Sequence, residues 1–308
     1  MRMMLNPVRT GPCVLVLGMF DGVHRGHQAL LMKGRALSAA CRLPLNVCTF
    51  EPHPLKVLCP AMTPPRLTTQ TERAQLMASF GVDNLCVHTF NHALAAQPPE
   101  DFVRDMARIY QPRYVVSGFN FTFGDRGRGN TDTLRALQGE YGYEAVTVSE
   151  VVLEGKTVSS TRIRALLRAG ELAQATRLLG HAYTMAGRVV NGKHIGRTLG
   201  FPTANLQVSE GKAMPAYGVY TCYLTVKGDS FPAVVNVGRH PTLPEGAVTV
   251  EAHVLSGGDF PLYGERVRLT FMSFRRAETT FDSVDALRAQ IARDVADAKA
   301  YFASVQTL

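Results

Sequence analysis

The feature that most constrains this chain is a change in its apolar rhythm near Gly180. Before that point, short apolar runs alternate with segments of helical period. Val14–Leu17, Leu45–Phe50, Leu85–Thr89, Arg113–Ser117 and Ala145–Val148 read as strands, with helices expected near 26–39, 71–79, 101–109 and 131–139. Strands alternating with helices predict a parallel α/β sheet with helices on both faces. Ligands of such sheets sit beyond the carboxyl ends of the strands, where segments 18–27, 51–54 and 118–130 fall. After Gly180, segments near 183–190, 217–227, 232–238, 247–255 and 266–274 are rich in Val, Thr, Tyr and Phe, and Gly and Pro separate them. That texture predicts an antiparallel barrel or sandwich. The chain closes with a helix whose Val284, Leu287, Ile291, Val295, Ala298 and Phe302 form one apolar stripe, and its Asp, Arg and Lys residues read as the solvated face. Two domains are expected, 1–180 and 181–308, and 308 residues exceed what one core usually supports.

Composition excludes several classes. A chain that is 46% apolar and 19% charged has ample material for packed cores, so disorder is not its main state. Apolar stretches such as Cys13–Leu17 are far shorter than the ~18 residues of a membrane span. The segment MRMMLNPVRTGP has charge but no apolar core, so no secretory signal is expected. Six Cys without a CxxC pair read as buried free thiols in a reducing cytoplasm. The net charge of +8 lies mostly in the part ending at Gly180, with 20 basic against 14 acidic residues there and 13 against 11 after it. Basic residues are scattered, with no run longer than Arg275–Arg276, so no nucleic-acid partner is expected. Small polyphosphate ligands or plain solvation explain the charge equally well.

The first strand runs into Gly18-Met19-Phe20-Asp21-Gly22-Val23-His24-Arg25-Gly26-His27. A strand–turn–helix junction offers free amides and a positive dipole end to phosphate. His24 and His27, three apart in the first turn, share a face, and Gly26 permits close backbone approach. His-x-Gly-His resembles the nucleotidyltransferase pattern, in which imidazoles hold ATP phosphates. Farther on, Ser159, Ser160 and Thr161 precede Arg162 and Arg164 at a helix start. One hydroxyl suffices for a cap. Three, with two guanidiniums, make a second polyphosphate clamp. Between these lie Phe50-Glu51-Pro52-His53-Pro54 and Gly118-Phe119-Asn120-Phe121-Thr122-Phe123-Gly124, then Arg126 and Arg128. Their aromatics suit a wall for a flat ring and suit ordinary core equally.

In the second part, Gly192, Lys193, Gly196, Arg197 and Gly200 form a glycine-punctuated basic loop leading to Phe201-Pro202-Thr203-Ala204-Asn205. Its amides can fold over phosphates as an anion nest, although it is not a Walker A loop. Thr203 and Asn205, two apart in an extended segment, offer two neutral oxygens suited to Mg²⁺ alongside nucleotide phosphates. Glu251 and His253 share one face of a strand, opposite Val250, Ala252 and Val254. Pattern alone leaves Glu251 either a solvent-facing carboxylate or a base for a hydroxyl nucleophile.

With these motifs in order, the whole chain resembles the bacterial bifunctional riboflavin kinase/FAD synthetase family. The resemblance rests on GMFDGVHRGH, FEPHP, GFNFTFGDRGRG, SSTRIR, GRTLGFPTAN and the Glu251-Ala252-His253 segment. It implies two activities, phosphorylation of riboflavin to FMN and adenylylation of FMN to FAD, with ATP as co-substrate and Mg²⁺ required for both. It implies that Gly18, Phe20, Asp21, Gly22, His24, Gly26, His27, Asn120 and Ser159–Arg164 hold the nucleotide of the adenylyltransferase. Pro52, His53, Pro54, Phe121, Phe123 and Arg128 would line the flavin there. In the kinase, Glu251 would be the base, Gly192–Asn205 the nucleotide loop, and Thr203 and Asn205 the Mg²⁺ ligands. Riboflavin, FMN, FAD and ATP are the implied partners, without a membrane.

Overall fold

A computed structural model describes residues 1–191, 200–239, 248–256 and 262–305. Packing divides the chain into two units, Met1–Ser160 and Thr161–Leu308.

The first unit is a six-stranded parallel sheet of β1 (Arg2–Leu5), β2 (Cys13–Leu17), β3 (Leu45–Glu51), β4 (Asn84–Thr89), β5 (Pro112–Gly118) and β6 (Glu144–Val148). The strand order is β1-β4-β3-β2-β5-β6. Its helices are α1 (Arg25–Cys41), α2 (Pro54–Leu58), α3 (Gln70–Ser79), α4 (His92–Ala95), α5 (Pro99–Tyr110) and α6 (Thr131–Tyr141), and a small hairpin joins β7 (Val152–Leu153) to β8 (Lys156–Thr157). Every residue of β2 is buried, because alternate side chains enter different cores. Cys13, Leu15 and Leu17 pack with Phe50, Phe102 and Tyr110, whereas Val14 and Val16 pack with Leu31, Leu45 and Met77. Each such aliphatic side chain contributes about 1.5–3 kcal/mol on burial. The expected strands and helices are present with shifted ends. β1 escaped the sequence reading because it is a four-residue edge strand whose Met3 and Leu5 are exposed.

The second unit contains α7 (Ser160–Arg168), whose first residue still belongs to the first unit, α8 (Leu172–Leu179) and a closed antiparallel barrel. Its strands are β9 (Thr184–Val190), β10 (Ala204–Val208), β11 (Gly218–Val226), β12 (Asp229–Arg239), β13 (Val248–Val254) and β14 (Arg266–Ala277), ordered β10-β13-β12-β11-β14-β9. Tyr220, Cys222, Leu224, Val235, Val237, Val250, Ala252, Leu269 and Phe271 are buried along these strands. The texture change at Gly180 marks the start of the barrel, but the packing division falls twenty residues earlier, at 160/161. The reason is that α7 and α8 pack within the second unit. Leu167 accepts the Ala216 amide at 2.8 Å, and Ile163, Leu167, Leu172, Ala175, Leu178 and Leu179 are buried.

The closing helix spans Val284–Val305 and corrects one expectation. Asp294 is not on a solvated face: it is 7% exposed, and its carboxylate accepts Arg276 Nε at 2.9 Å and Nη2 at 2.7 Å. Gln290 donates to the same carboxylate at 3.0 Å. At the other end of the apolar stripe, Val284 is exposed, while Ala298 and Phe302 are buried. A forked guanidinium that reaches a carboxylate bidentately makes such burial tolerable, which charge pattern alone does not reveal.

Candidate active sites

In the first unit, the loop after β2 turns into α1 through an unusual backbone. Phe20, Gly22 and Val23 have φ of 55°, 84° and 40°. Gly22 adopts this freely; at Phe20 and Val23 it costs of order 1–3 kcal/mol each. The surroundings over-determine the loop. The Asp21 carboxylate accepts the Leu67 amide at 3.1 Å, the Thr68 amide at 3.0 Å and the Thr68 hydroxyl at 3.2 Å. The Gly22 amide donates to Thr68 Oγ1 at 3.0 Å, Ser160 Oγ to the Asp21 carbonyl at 2.9 Å, and the Gln28 side chain to the Val23 carbonyl at 2.9 Å. Asp21 is 8% exposed, so its carboxylate holds the loop's own scaffold. No local motif singles out Thr68, because its partner Asp21 lies far away along the chain.

The loop delivers two imidazoles. His24 is the N-cap of α1, and its Nδ1 accepts the His27 amide at 3.4 Å. This fixes the neutral tautomer with its proton on Nε2. The rings of His24 and His27 stack at 3.7 Å with 16° between planes, and Phe20 tilts against His27 at 5.2 Å. A Cβ at Gly26 would come within 3.1 Å of the His24 ring. Nδ1 of His27 is buried without a hydrogen-bond partner. Burial, chiefly, with the neighbouring His24 ring and the Arg73 guanidinium disfavouring a second positive charge, holds the His27 imidazole well below the ordinary histidine range. The first turn of α1 contains no acidic residue, so nothing there opposes an anion.

The sheet reverses its winding between β2 and β5, which lie side by side with Val16 opposite Val116. Gly18 and Gly118 therefore leave the sheet at the same end, the place where doubly wound sheets bind ligands. Asn120 is exposed beyond Gly118. On the other side of β2, β3 ends at Glu51 and runs into Pro52, His53 and Pro54, all half-buried. His53 Nδ1 accepts the Leu55 amide at 3.1 Å and caps α2. The aromatic segment divides. Phe123 is buried against Phe102 at 4.9 Å and belongs to the core, whereas Phe121 is half-buried and stacks on Phe123 at 5.7 Å. Arg128 is exposed and pairs with Asp125 at 3.2 Å. Ser159 and Ser160 sit with the first unit, and Thr161, Arg162 and Arg164 stand on α7 in the second.

In the second unit, Glu251 of β13 lies directly opposite Asn205 of β10 on one side and Asn236 of β12 on the other. Residues opposed across antiparallel strands share a face, so one row presents Asn205, Glu251 and Asn236. All three are half-buried, while Val250, Ala252, Val235 and Val237 occupy the buried face. His253, two residues on, donates from Nδ1 to the Pro202 carbonyl at 2.9 Å and meets Phe201 edge-on at 5.6 Å. Phe201-Pro202-Thr203 is thereby pinned beside the Glu251 row, and Gly200, with φ of 87°, precedes it. Only barrel register brings Asn236, on the neighbouring strand, to Glu251. Gly192, Lys193, Gly196 and Arg197 lie outside the described residues.

Among the described residues no cluster of three or more His, Cys, Asp or Glu forms a metal cage. Thr203 and Asn205, both half-buried, offer neutral oxygens of the kind that complete a cation's shell beside ligand phosphates. All six Cys are free thiols, and burial pushes Cys86 up to about 11 and Cys48 up to about 12. Such thiols are inert at neutral pH.

The FAD synthetase family model matches residues 7–162, and the riboflavin kinase family model matches residues 179–302. A bifunctional riboflavin kinase/FMN adenylyltransferase of Listeria monocytogenes is 35% identical over 298 residues, covering 95% of this chain and 93% of that protein. The Escherichia coli K12 protein of the same description is 36% identical, covering 94% and 93%, and the Bacillus subtilis one is 32% identical, covering 95% and 93%. A Streptococcus pneumoniae crystal structure described as a macrolide-efflux protein superposes with a TM-score of 0.86 at 28% identity, covering 97% of this chain and 99% of that one. No described helix is long and apolar enough to cross a membrane.

Proposed function

Because this chain belongs to the bifunctional riboflavin kinase/FMN adenylyltransferase family, we propose a residue-level division of its two reactions. The enzyme phosphorylates riboflavin to FMN with ATP and transfers AMP from a second ATP to FMN, giving FAD and pyrophosphate. We assign adenylyl transfer to residues 1–180 and phosphorylation to 181–308, with α7 and α8 spanning the junction of the two matched regions. The observation that carries the assignment is the stacked His24–His27 pair at the start of α1, where the sheet changes winding direction.

In adenylyl transfer, a phosphate oxygen of FMN attacks the α-phosphorus of ATP, and pyrophosphate leaves. The attacking oxygen is already ionised, so this step needs positioning and charge stabilisation rather than a base. His24, with its proton on Nε2, donates to the triphosphate, and the amides at the start of α1 supply further donors. His27 donates through one ring nitrogen. Ser159 and Ser160 extend the clamp, and Asn120 contacts the nucleotide. Asp21 acts by holding the loop. Pro52, His53, Pro54 and Phe121 border the flavin, while Phe123 supports Phe121 from the core, and Arg128 offers a cation at the rim.

In phosphorylation, the Glu251 carboxylate accepts the 5′-hydroxyl proton as the oxygen attacks the γ-phosphorus, and ADP leaves. Asn205 and Asn236 flank Glu251 and fix its orientation. The donor set fits Mg²⁺: Thr203 and Asn205 would hold it together with ATP phosphates. When bound, the ion supplies neutralisation of charge on the transferring phosphoryl group. The free thiols favour a reducing compartment, and we place the enzyme in the cytoplasm.

A single reaction with riboflavin and Mg-ATP, resolved for FMN and FAD over time, tests both halves. FMN should appear first and FAD follow. Accumulation of FMN without FAD, with added FMN also unconverted, would remove adenylyl transfer from the first unit.

A further inference from the structure

Arg73 of α3 lies outside every motif that led to the two sites, yet it reaches two loops of the adenylyltransferase edge at once. It is 5% exposed. Its Nη1 donates to the Met19 carbonyl at 3.1 Å, and its Nη2 to Glu51 Oε2 at 3.2 Å. Met19 belongs to the loop that delivers His24 and His27; Glu51 ends β3 and immediately precedes Pro52-His53-Pro54. Thr49 donates to the same Met19 carbonyl at 3.3 Å, and Arg66 reaches the other Glu51 oxygen at 2.6 Å. Two further buried atoms in this region, Nε of Arg73 and Nδ1 of His27, have no hydrogen-bond partner.

We propose that Arg73 is a positioning residue for adenylyl transfer, coupling the loop that holds the ATP phosphates to the loop that borders the flavin. The physical reason lies in the guanidinium. Its planar fork holds two acceptors at a fixed separation, which a single ammonium does not do. The loop it holds contains Phe20 and Val23 in left-handed backbone, a conformation that persists only when its surroundings impose it. The two substrates meet between the two loops, so a change in loop separation alters the distance between the attacking oxygen and the α-phosphorus. A displacement near 1 Å is enough to cost about 10²-fold in rate. Arg73 also bears on His27 directly, because its buried charge opposes protonation of that imidazole.

The inference rests on adenylyl transfer occurring at the His24–His27 loop, and His24→Ala tests that assignment separately. The experiment uses the full chain with Arg73→Met and Arg73→Lys. FAD formation from FMN and Mg-ATP is measured as kcat and KM, and riboflavin phosphorylation is measured on the same preparations. Arg73→Met should lower kcat for FAD formation about 10–100-fold while the kinase rate stays at the wild-type value. Arg73→Lys, which keeps the charge and reaches one loop, should recover part of kcat and leave KM for ATP near wild type. If Arg73→Met does not fold, Arg73→Lys decides alone: a kcat reduced several-fold with an intact kinase rate supports the proposal. Wild-type kcat in either folded variant overturns it, as does a parallel loss of both activities. His24→Ala with undiminished FAD formation would instead refute the site assignment, whatever Arg73 does.

Discussion

Glu251 stands directly across the β10–β13 ladder from Asn205, on the barrel face opposite to Val250 and Ala252. The carboxylate, two strand positions from the His253 that pins Phe201-Pro202, and the carboxamide opposite it form a compact polar site on a rigid support. Strands hold such a pair more closely than loops do.

Glu251→Gln should therefore reduce riboflavin phosphorylation about 10²–10⁴-fold, or about 3–5 kcal/mol of transition-state stabilisation. The amide keeps the shape and cannot take the proton. KM for riboflavin should change little, and FAD formation from supplied FMN should be normal. A near wild-type kinase rate would return Glu251 to an ordinary strand position.

His24→Ala or His27→Ala should abolish measurable FAD formation while FMN formation persists. The stacked pair lies wholly within the first unit. Loss of both activities by a variant with wild-type circular dichroism would contradict the two-site division.

A fragment beginning at Thr161 should phosphorylate riboflavin and be more stable than one beginning at His181. The longer fragment keeps Ile163, Leu167, Leu172, Ala175, Leu178 and Leu179, all buried. Removing them should lower the thermal midpoint by about 10 °C, on the scale of a few kcal/mol for a domain of this size. Equal midpoints in scanning calorimetry would show that α7 and α8 are dispensable to the barrel.

Asp294→Ala should destabilise the second unit by about 3 kcal/mol, because it leaves the Arg276 guanidinium half-buried without its bidentate acceptor. Asp294→Asn, which still accepts hydrogen bonds, should cost less. Urea unfolding of both variants measures the difference.

Stability should fall on acidification through the histidine range. His27 and His88 are both held below their ordinary value of 6.5, chiefly by burial. Below about pH 6.5 the unfolded chain binds protons that the folded chain does not, so the unfolded state gains. The loss begins near the unfolded pKa and continues as pH drops toward the depressed folded values. Thermal midpoints of the ligand-free enzyme between pH 7.5 and 5 should decline, and His27→Asn should make the decline shallower. An unchanged slope would place His27 at its ordinary range.

Two kinds of information separate here. Local rhythm alone determined the parallel α/β sheet, the β-rich second part and the closing helix. Burial demands period two or 3.6 wherever one face meets a core, and fully buried strands such as Cys13–Leu17 must be apolar throughout. The motifs likewise named His24, His27, Asn205 and Glu251, because their chemistry depends on short spacings within one turn or strand. Tertiary structure decided what depends on distant pairings. Register across the barrel put Asn236 and Asn205 on either side of Glu251, and the winding of the sheet brought the ends of β2 and β5 out at the same edge. Packing turned Asp21 toward Thr68, sank Phe123 into the core, buried Asp294 against Arg276 and brought Arg73 under Met19. In each of these a polar or aromatic residue found a partner far along the chain. Only the folded chain brings such residues together, since sequence periodicity shows which face is buried and not which distant side chain meets it.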